Sequence, residues 1–197
     1  MRIRYCVIPA RGGSRRIPGK NIKPFKGRSM LLRAIETAQK TGHFDKIIVS
    51  TEDAQIAKVA QTAGVKIHMR PKEFALDHVG TQEVMRQVML AMVPPDQNPT
   101  VCLLYPCTPL VHPVDLVDAH NLLVDRPCSY VVAIAADPLR DIGNFYWGLA
   151  NTFKGGEPLY NRYTGIYVMP ADRAIDINTD DDWRKAEAMY DALQKQK

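Results

Sequence analysis

The 197-residue chain lacks any run of 18 apolar residues, so no segment of it reads as a membrane-spanning helix. Its start, MRIRYCVIPARGG, has only a short apolar run from Tyr5 to Ala10. That is too little for the core of a secretion signal, and a cytoplasmic protein is the expectation. Four cysteines (Cys6, Cys102, Cys107 and Cys128) form no C-x-x-C pair, and three of them lie in apolar runs. Buried free thiols are therefore expected in place of zinc ligands or disulfides. The five histidines (His43, His68, His78, His112 and His120) never fall at H-x-x-x-H spacing, which leaves a histidine metal centre unsupported. Internal repeats and low-complexity tracts are absent too. Aromatics are scarce where positive charge concentrates, for Arg11, Arg15, Arg16, Lys20, Lys23, Lys26 and Arg28 have only Phe25 among them. A nucleic-acid strand would want more stacking residues, so a nucleotide suits this stretch better.

What is present is a regular rhythm. The hydrophobic fraction of 46% and a formal charge of +5 fit an ordinary folded chain, and the length suits a single domain over residues 1–197. Strand-like runs rich in β-branched residues alternate with helical periods: RYCVIPA, MLLRAIETAQKT, KIIVST, AQIAKVAQTAG and VKIHMR. Such alternation predicts a mostly parallel sheet with helices on both faces. In the second helix Ile56, Val59, Ala60 and Ala63 share a face, and Gly64 is placed to end it. A third helix is expected over Thr81–Met92, its stripe of Val84, Met85, Val88, Met89 and Met92 read as core. PTVCLLYPCTPL, PVDLVDAHNLLV and CSYVVAIAA continue the rhythm to a fifth strand. After Ala136 the period breaks, and a mixed edge to the sheet is expected there. AIDINTDDDWRKAEAMYDALQKQK reads as a short strand and a helix with Trp183, Ala186, Tyr190 and Leu193 inward, opened by a Thr179 and Asp182 capping pair.

The stretch IPARGGSRRIPGKN follows the first strand directly, where a phosphate-binding loop belongs. It is no Walker A loop, because five residues separate Gly13 from Gly19 and Asn21 follows Lys20 in place of Ser or Thr. Nor is it G-x-G-x-x-G. By composition alone a solvated basic loop stays open as the alternative.

IPARGGSRRIPGKN resembles the signature of the sugar-acid cytidylyltransferases. FDKIIVSTEDAQIAKVAQTAGV is similar to that family's second strand and helix. Arg70 and Pro71 with Thr81 match its third block, and DINTDDDWRKAEAMY looks like its carboxyl-terminal metal block. The resemblance spans nearly the whole chain. Tyr105 in LLYPCTPL, where neuraminate enzymes typically carry Gln, and DIGNFYWG make the pseudaminic acid cytidylyltransferases the nearest subfamily.

The resemblance implies a Rossmann-like α/β fold of the nucleotide-diphospho-sugar transferase type. It implies that CTP and a nine-carbon 2-keto sugar acid are the partners and give a CMP-sugar and pyrophosphate. An N-acylneuraminate (sialic or legionaminic) substrate and a nucleotide-binding homologue without transferase activity remain as alternatives. Carried over residue by residue, Arg11 and Lys20 would contact the triphosphate as catalytic groups, with Ala10, Gly12, Gly13 and Ser14 forming the cradle. Asn21, Arg70, Thr81 and Tyr105 would complete the nucleotide site. Asn144 and Tyr146 would face the sugar, in a segment that also holds Phe145 and Trp147. Asp176 and Asn178, alternating on a strand, would hold Mg2+, with Asn178 replacing an acid of the family's D-x-D pattern. Members of the family carry a longer sugar-binding and dimerisation insert where only DPLR, near residues 137–141, stands here. Either the chain is a shortened relative or a segment is missing from the sequence at this point, and a homodimer is possible but doubtful if the insert is truly absent.

Overall fold

The computed structural model describes residues 2–195. Its first strand, β1 (Arg4–Pro9), shows the two-residue period at work. Tyr5 and Val7 point into one apolar layer while Cys6 and Ile8 point into the other, all fully buried. A strand buried on both faces needs helices on both sides, and the chain supplies them. A short antiparallel hairpin, β2 (Pro24–Phe25) with β3 (Arg28–Ser29), precedes α1 (Met30–Lys40). β4 (Lys46–Thr51), α2 (Ala54–Thr62) and β5 (Lys66–Met69) extend the sheet on one side of β1. A 3-10 turn at Lys72–Ala75 and α3 (Thr81–Met92) bring the chain back to β6 (Thr100–Leu104) on the other side. Then follow α4 (Pro113–Asp125), β7 (Tyr130–Ala136), β8 (Leu139–Leu149), α5 (Ala150–Gly155), β9 (Thr164–Val168) and α6 (Asp180–Gln194).

The seven-stranded sheet runs β5-β4-β1-β6-β8-β7-β9. Only β8 is antiparallel to its neighbours, and it sits inside the sheet between β6 and β7. The mixed edge expected after Ala136 is thus corrected: the reversed strand is interior, and the edge strand β9 lies parallel to β7. The reason is the two-residue link Asp137-Pro138, which folds β8 straight back on β7 as a hairpin before any crossover can form. Phe145 and Trp147 are fully buried on that interior strand, so they are core residues and not part of a sugar-facing edge.

Helices α1, α2 and α4 cover one face of the sheet, and α3 and α5 cover the other. Their ends are written in the sequence. Ser29 caps α1, and Asp53 caps α2 by accepting from the Gln55 and Ile56 amides. Gly64 follows α2 as expected. α4 opens on His112 with Pro113 and Asp115, and α6 on the reciprocal Thr179 and Asp182 pair. Trp183 and Ala186 of α6 are buried against Phe25, Ile17, Ile175 and Ile177. α6 therefore packs on the basic loop and its hairpin. Residues 174–178 form no strand, because no ladder partner reaches them. They still alternate in burial, Ile175 and Ile177 inward, as an extended segment does. Among the described residues no helix is long and apolar enough to cross a membrane.

Beneath the opposite end of the sheet lies a chain of polar groups whose direction is set by an arginine, which can only donate. Arg4 Nη1 donates to His43 Nδ1 at 3.2 Å. His43 must then donate from Nε2 to His120 Nδ1, 3.0 Å away, and His120 from Nε2 to Thr100 Oγ1 at 3.1 Å. Both rings are neutral in this arrangement. Burial, with the Arg4 charge adding to it and a proton on His43 opposing a second one, pulls His120 down to about 4, and burial likewise lowers His43. The stability these neutral rings contribute is complete above pH 6.5 and is lost as pH falls toward 4. Urea unfolding between pH 7.5 and 4.5 should show a progressive loss, with His120→Gln flattening the decline. An unchanged slope in that variant would contradict the assignment.

Candidate nucleotide-binding site

β1 connects through α1 to one side and its neighbour β6 continues to the other, so the strand order reverses between them. In α/β sheets a crevice opens at the carboxyl ends of the strands at such a point. Here it holds a cavity of about 620 Å³. Eight residues singled out in the sequence line it: Arg11, Ser14, Lys20, Asn21, Arg70, Thr81, Tyr105 and Asp176. They come from the loop after β1, the segment after β5, the start of α3, the end of β6 and the segment before α6.

The loop is held from three directions. Asn21 is buried; its Nδ2 donates to the Arg11 carbonyl at 2.8 Å, and its Oδ1 accepts from the Cys107 thiol at 3.2 Å. Burial pushes that thiol up to about 12, which keeps its proton in place as the donor. Lys20 Nζ donates to the Ile177 carbonyl at 2.7 Å, tying the loop to the segment that carries Asp176. Arg11 and Arg15 both bind Asp77, Arg15 at 2.8 Å. Four cations, Arg11, Arg15, Arg16 and Lys20, thereby line one wall.

Arg70 lies deeper. Its Nε and Nη2 donate to the Ser50 hydroxyl and carbonyl at 3.2 and 2.8 Å, which fixes the guanidinium plane while the residue still lines the cavity. Burial draws its pKa down, with the Glu52 carboxylate opposing and Arg11 adding to the shift. Across from it Thr81 Oγ1 and the Tyr105 hydroxyl are 2.5 Å apart. Burial raises the Tyr105 pKa against the effect of that bond.

Asp176 is raised by burial, while Asn178, Lys20 and Arg16 pull it down. Asn178 turns its Nδ2 onto the Asp176 carboxylate. The two residues meet, as their spacing predicted, but without a strand to hold them. A hard cation fits Asp176: a partly desolvated carboxylate at the cavity wall, beside which a nucleotide's phosphates could supply the remaining oxygens. In this orientation the neighbouring amide offers nitrogen, so one carboxylate is the protein's share. Among the described residues no group of three or more His, Cys, Asp or Glu is arranged to hold a metal.

The cradle and sugar assignments need correction. Ala10 is fully buried, and its amide donates to the Ser50 carbonyl at 2.9 Å. The Gly12 amide is taken by Glu52 Oε1 at 2.8 Å, and the Ser14 amide by the Gly12 carbonyl at 3.0 Å. Neither Gly12 nor Gly13 is on the cavity wall. Gly12 answers a crowding demand: a Cβ there would stand 3.0 Å from Cβ and Cγ of Asp53 and closer still to its Oδ2. Asn144 is buried, and with its nitrogen facing the two main-chain carbonyls it donates to Ile142 at 3.2 Å and Ile175 at 3.0 Å. It thus braces the backbone next to Asp176 and does not face a ligand. The Tyr146 hydroxyl donates to Asp141 Oδ2 at 2.7 Å, and its ring is buried in the α3 layer.

Several wall residues escaped the sequence reading. Arg15 and Arg16 were visible only as part of a charge run. Asp77 sits between Arg70 and Thr81 within the third block, and that placement was its signal. Gly143 (φ 55°) reaches the wall because the β7–β8 register slips between Val132 and Ile134, and such a bulge leaves no clear mark in sequence.

Residues 5–141 match the family model described as cytidylyltransferase. The chain is 26% identical to pseudaminic acid cytidylyltransferase of Campylobacter jejuni subsp. jejuni serotype O:2, covering 94% of this chain and 95% of that protein. That alignment runs over 220 positions, more than the residues of this chain, so the relative carries segments without a counterpart here. N-acylneuraminate cytidylyltransferase B of Danio rerio is also 26% identical, covering 94% of this chain but 51% of that protein. Among solved structures, a CMP:2-keto-3-deoxy-manno-octonic acid synthetase complexed with CTP superposes with a TM-score of 0.79 at 16% identity, over 97% of this chain and 99% of that one. A 4-diphosphocytidyl-2C-methyl-D-erythritol synthase gives 0.74 at 10% identity, over 96% and 99%. These two likenesses show the fold.

The crowding at Gly12 is directly testable. Gly12→Ala should lower the urea midpoint, and Asp53→Gly, which removes the clashing atoms and keeps a tolerated cap, should by itself lower it only slightly. The double variant is expected to lose less than the sum of the two; strict additivity would show that the contact does not constrain the loop.

Proposed function

Because the chain belongs to the cytidylyltransferase family, we propose that it transfers CMP from CTP to a nine-carbon 2-keto sugar acid, pseudaminic acid being the preferred substrate. The observation that carries this reading is the convergence of Arg11, Lys20, Arg70 and Asp176 on one cavity at the sheet's switch point. The Campylobacter jejuni relative, covered over 95% of its own length, acts, by its name, on pseudaminic acid. An N-acylneuraminate acid is the second reading, favoured by the Danio rerio relative. CTP as substrate accords with a cytoplasmic setting.

In the reaction the sugar's anomeric oxygen bonds to the α-phosphorus, the bond from that phosphorus to the β-phosphate oxygen breaks, and pyrophosphate leaves. Charge accumulates on the phosphates, so the protein's task is to position and neutralise. Arg11 and Lys20 bind the triphosphate from the loop, and Arg15 and Arg16 widen the positive wall. Asn21 acts through the loop, holding the Arg11 carbonyl and so the side chain's origin. Arg70, its plane fixed by Ser50, offers donors from deeper in the cavity, and the Thr81 and Tyr105 hydroxyls offer theirs across from it. Asp176 would hold Mg2+, with Asn178 beside it, and the ion would supply positive charge that offsets the negative charge of the polyphosphate. Asn144 and Tyr146 serve the sugar indirectly, by shaping the bulge that brings Gly143 to the wall. In this reading the β7–β8 hairpin replaces the longer insert, and sugar contacts fall to that bulge without a partner subunit.

Incubation with Mg2+, CTP and pseudaminic or N-acetylneuraminic acid should release pyrophosphate. CTP binding without release from any nine-carbon acid would leave a nucleotide-binding homologue in place of the enzyme. Arg11→Ala is expected to weaken CTP by about tenfold to a hundredfold, the range of a charge-assisted hydrogen bond; unchanged binding would remove Arg11 from the site. Asn178→Asp should lower the Mg2+ concentration giving half-maximal rate, and a rise would count against the metal assignment.

A further inference from the structure

Two of the loop's cations are already engaged by a carboxylate of the protein. Asp77 directs Oδ1 to Arg11 Nη1 and Oδ2 to Arg15 Nε, and it lines the same cavity. One anion thus spans two guanidinium groups through two oxygens, the pattern in which a phosphate group would receive them. The fold itself asks little of this contact. The Asp77 side chain is 41% exposed, its neighbour Leu76 is 51% exposed, and the preceding turn, Lys72–Ala75, buries no residue. Among the described residues its side chain's partners are those two arginines alone. The segment between the turn and α3 is therefore fastened to the basic loop by charge.

We infer that Asp77 is a placeholder for substrate phosphate and a specificity-determining residue: a nucleotide's polyphosphate displaces its carboxylate from Arg11 and Arg15. This rests on the CTP reading for the identity of the nucleotide, though not for the displacement itself. A carboxylate brings one negative charge to the pair and a triphosphate brings several, so the exchange favours highly charged ligands. An uncharged nucleoside gains nothing from it. When pyrophosphate departs, the carboxylate can return and compete with its rebinding.

Isothermal titration of the wild type, Asp77→Asn and Asp77→Glu with inorganic tripolyphosphate, CTP and cytidine tests this. Releasing two partly exposed ion pairs should tighten tripolyphosphate and CTP binding to Asp77→Asn by about threefold to thirtyfold. Cytidine binding should not change, and Asp77→Glu, which keeps the charge, should stay within about twofold of the wild type. Weaker or unchanged tripolyphosphate binding by Asp77→Asn would overturn the inference, since it would make Asp77 a partner of the bound state or a bystander. If Asp77→Asn binds tripolyphosphate more tightly while the wild type releases no pyrophosphate with any sugar acid, the placeholder stands and the transferase reading falls. If Asp77→Asn leaves tripolyphosphate affinity unaltered in a protein that does make CMP-sugar, the transferase reading stands and the placeholder falls.

Discussion

Repulsion among like charges is the constraint around which this site is built. Arg11, Arg15, Arg16, Lys20 and Arg70 all border one cavity, and without a polyanion between them their charges oppose folding. The protein answers with carboxylates set among them. Asp77 holds two arginines, Glu52 takes the Gly12 amide and stands near Arg70, and Asp176 lies close to Lys20 and Arg16. Each acid comes from a different part of the chain, so the charge balance is a tertiary property. The same balance leaves the cavity ready for an anion.

That arrangement needs a rigid frame, which the sheet supplies. β1 is buried on both faces, and its end delivers the loop between β4 and β6 at the point where strand order reverses. From there, cross-links reach far along the chain. Asn21 engages Cys107, and Lys20 engages the Ile177 carbonyl. Ile17, Phe25 and Met30 share an apolar cluster with Trp183 and Ala186. The carboxyl-terminal helix thus packs against the basic loop, and Asp176 arrives at the wall because Ile175 and Ile177 on either side of it are buried there. Farther out, buried Asp115 accepts from Arg173 at 2.6 Å and Tyr167 at 2.9 Å, fastening the approach to that segment onto α4.

Much of this was legible. Strand-like and helical runs marked the five strands β1, β4, β5, β6 and β7, together with the helices between them, and the Thr179 and Asp182 capping pair marked the start of α6. α5 was missed because six residues offer too little period, and the position of β8 was missed because strand order is not encoded in any local pattern. In the site, charged and hydroxyl side chains at matched positions proved to meet. Glycines were misread: Gly12 looked like room for a phosphate and is room for Asp53. Asn144 and Tyr146 looked like ligand contacts and are braces, because a polar side chain on an interior strand must find a partner within the protein.

By itself the sequence determined the α/β alternation, the place of the basic loop after the first strand and several of the side chains that meet at the cavity, among them Arg11, Lys20, Arg70 and Asp176. These follow from local rules: side-chain period, capping chemistry and the position of a loop relative to a strand. The tertiary structure alone decided which backbone amides stay free, that the reversed strand lies inside the sheet, and that Asp77 closes on Arg11 and Arg15. Those outcomes depend on contacts between residues dozens of positions apart, where packing and charge compete in three dimensions.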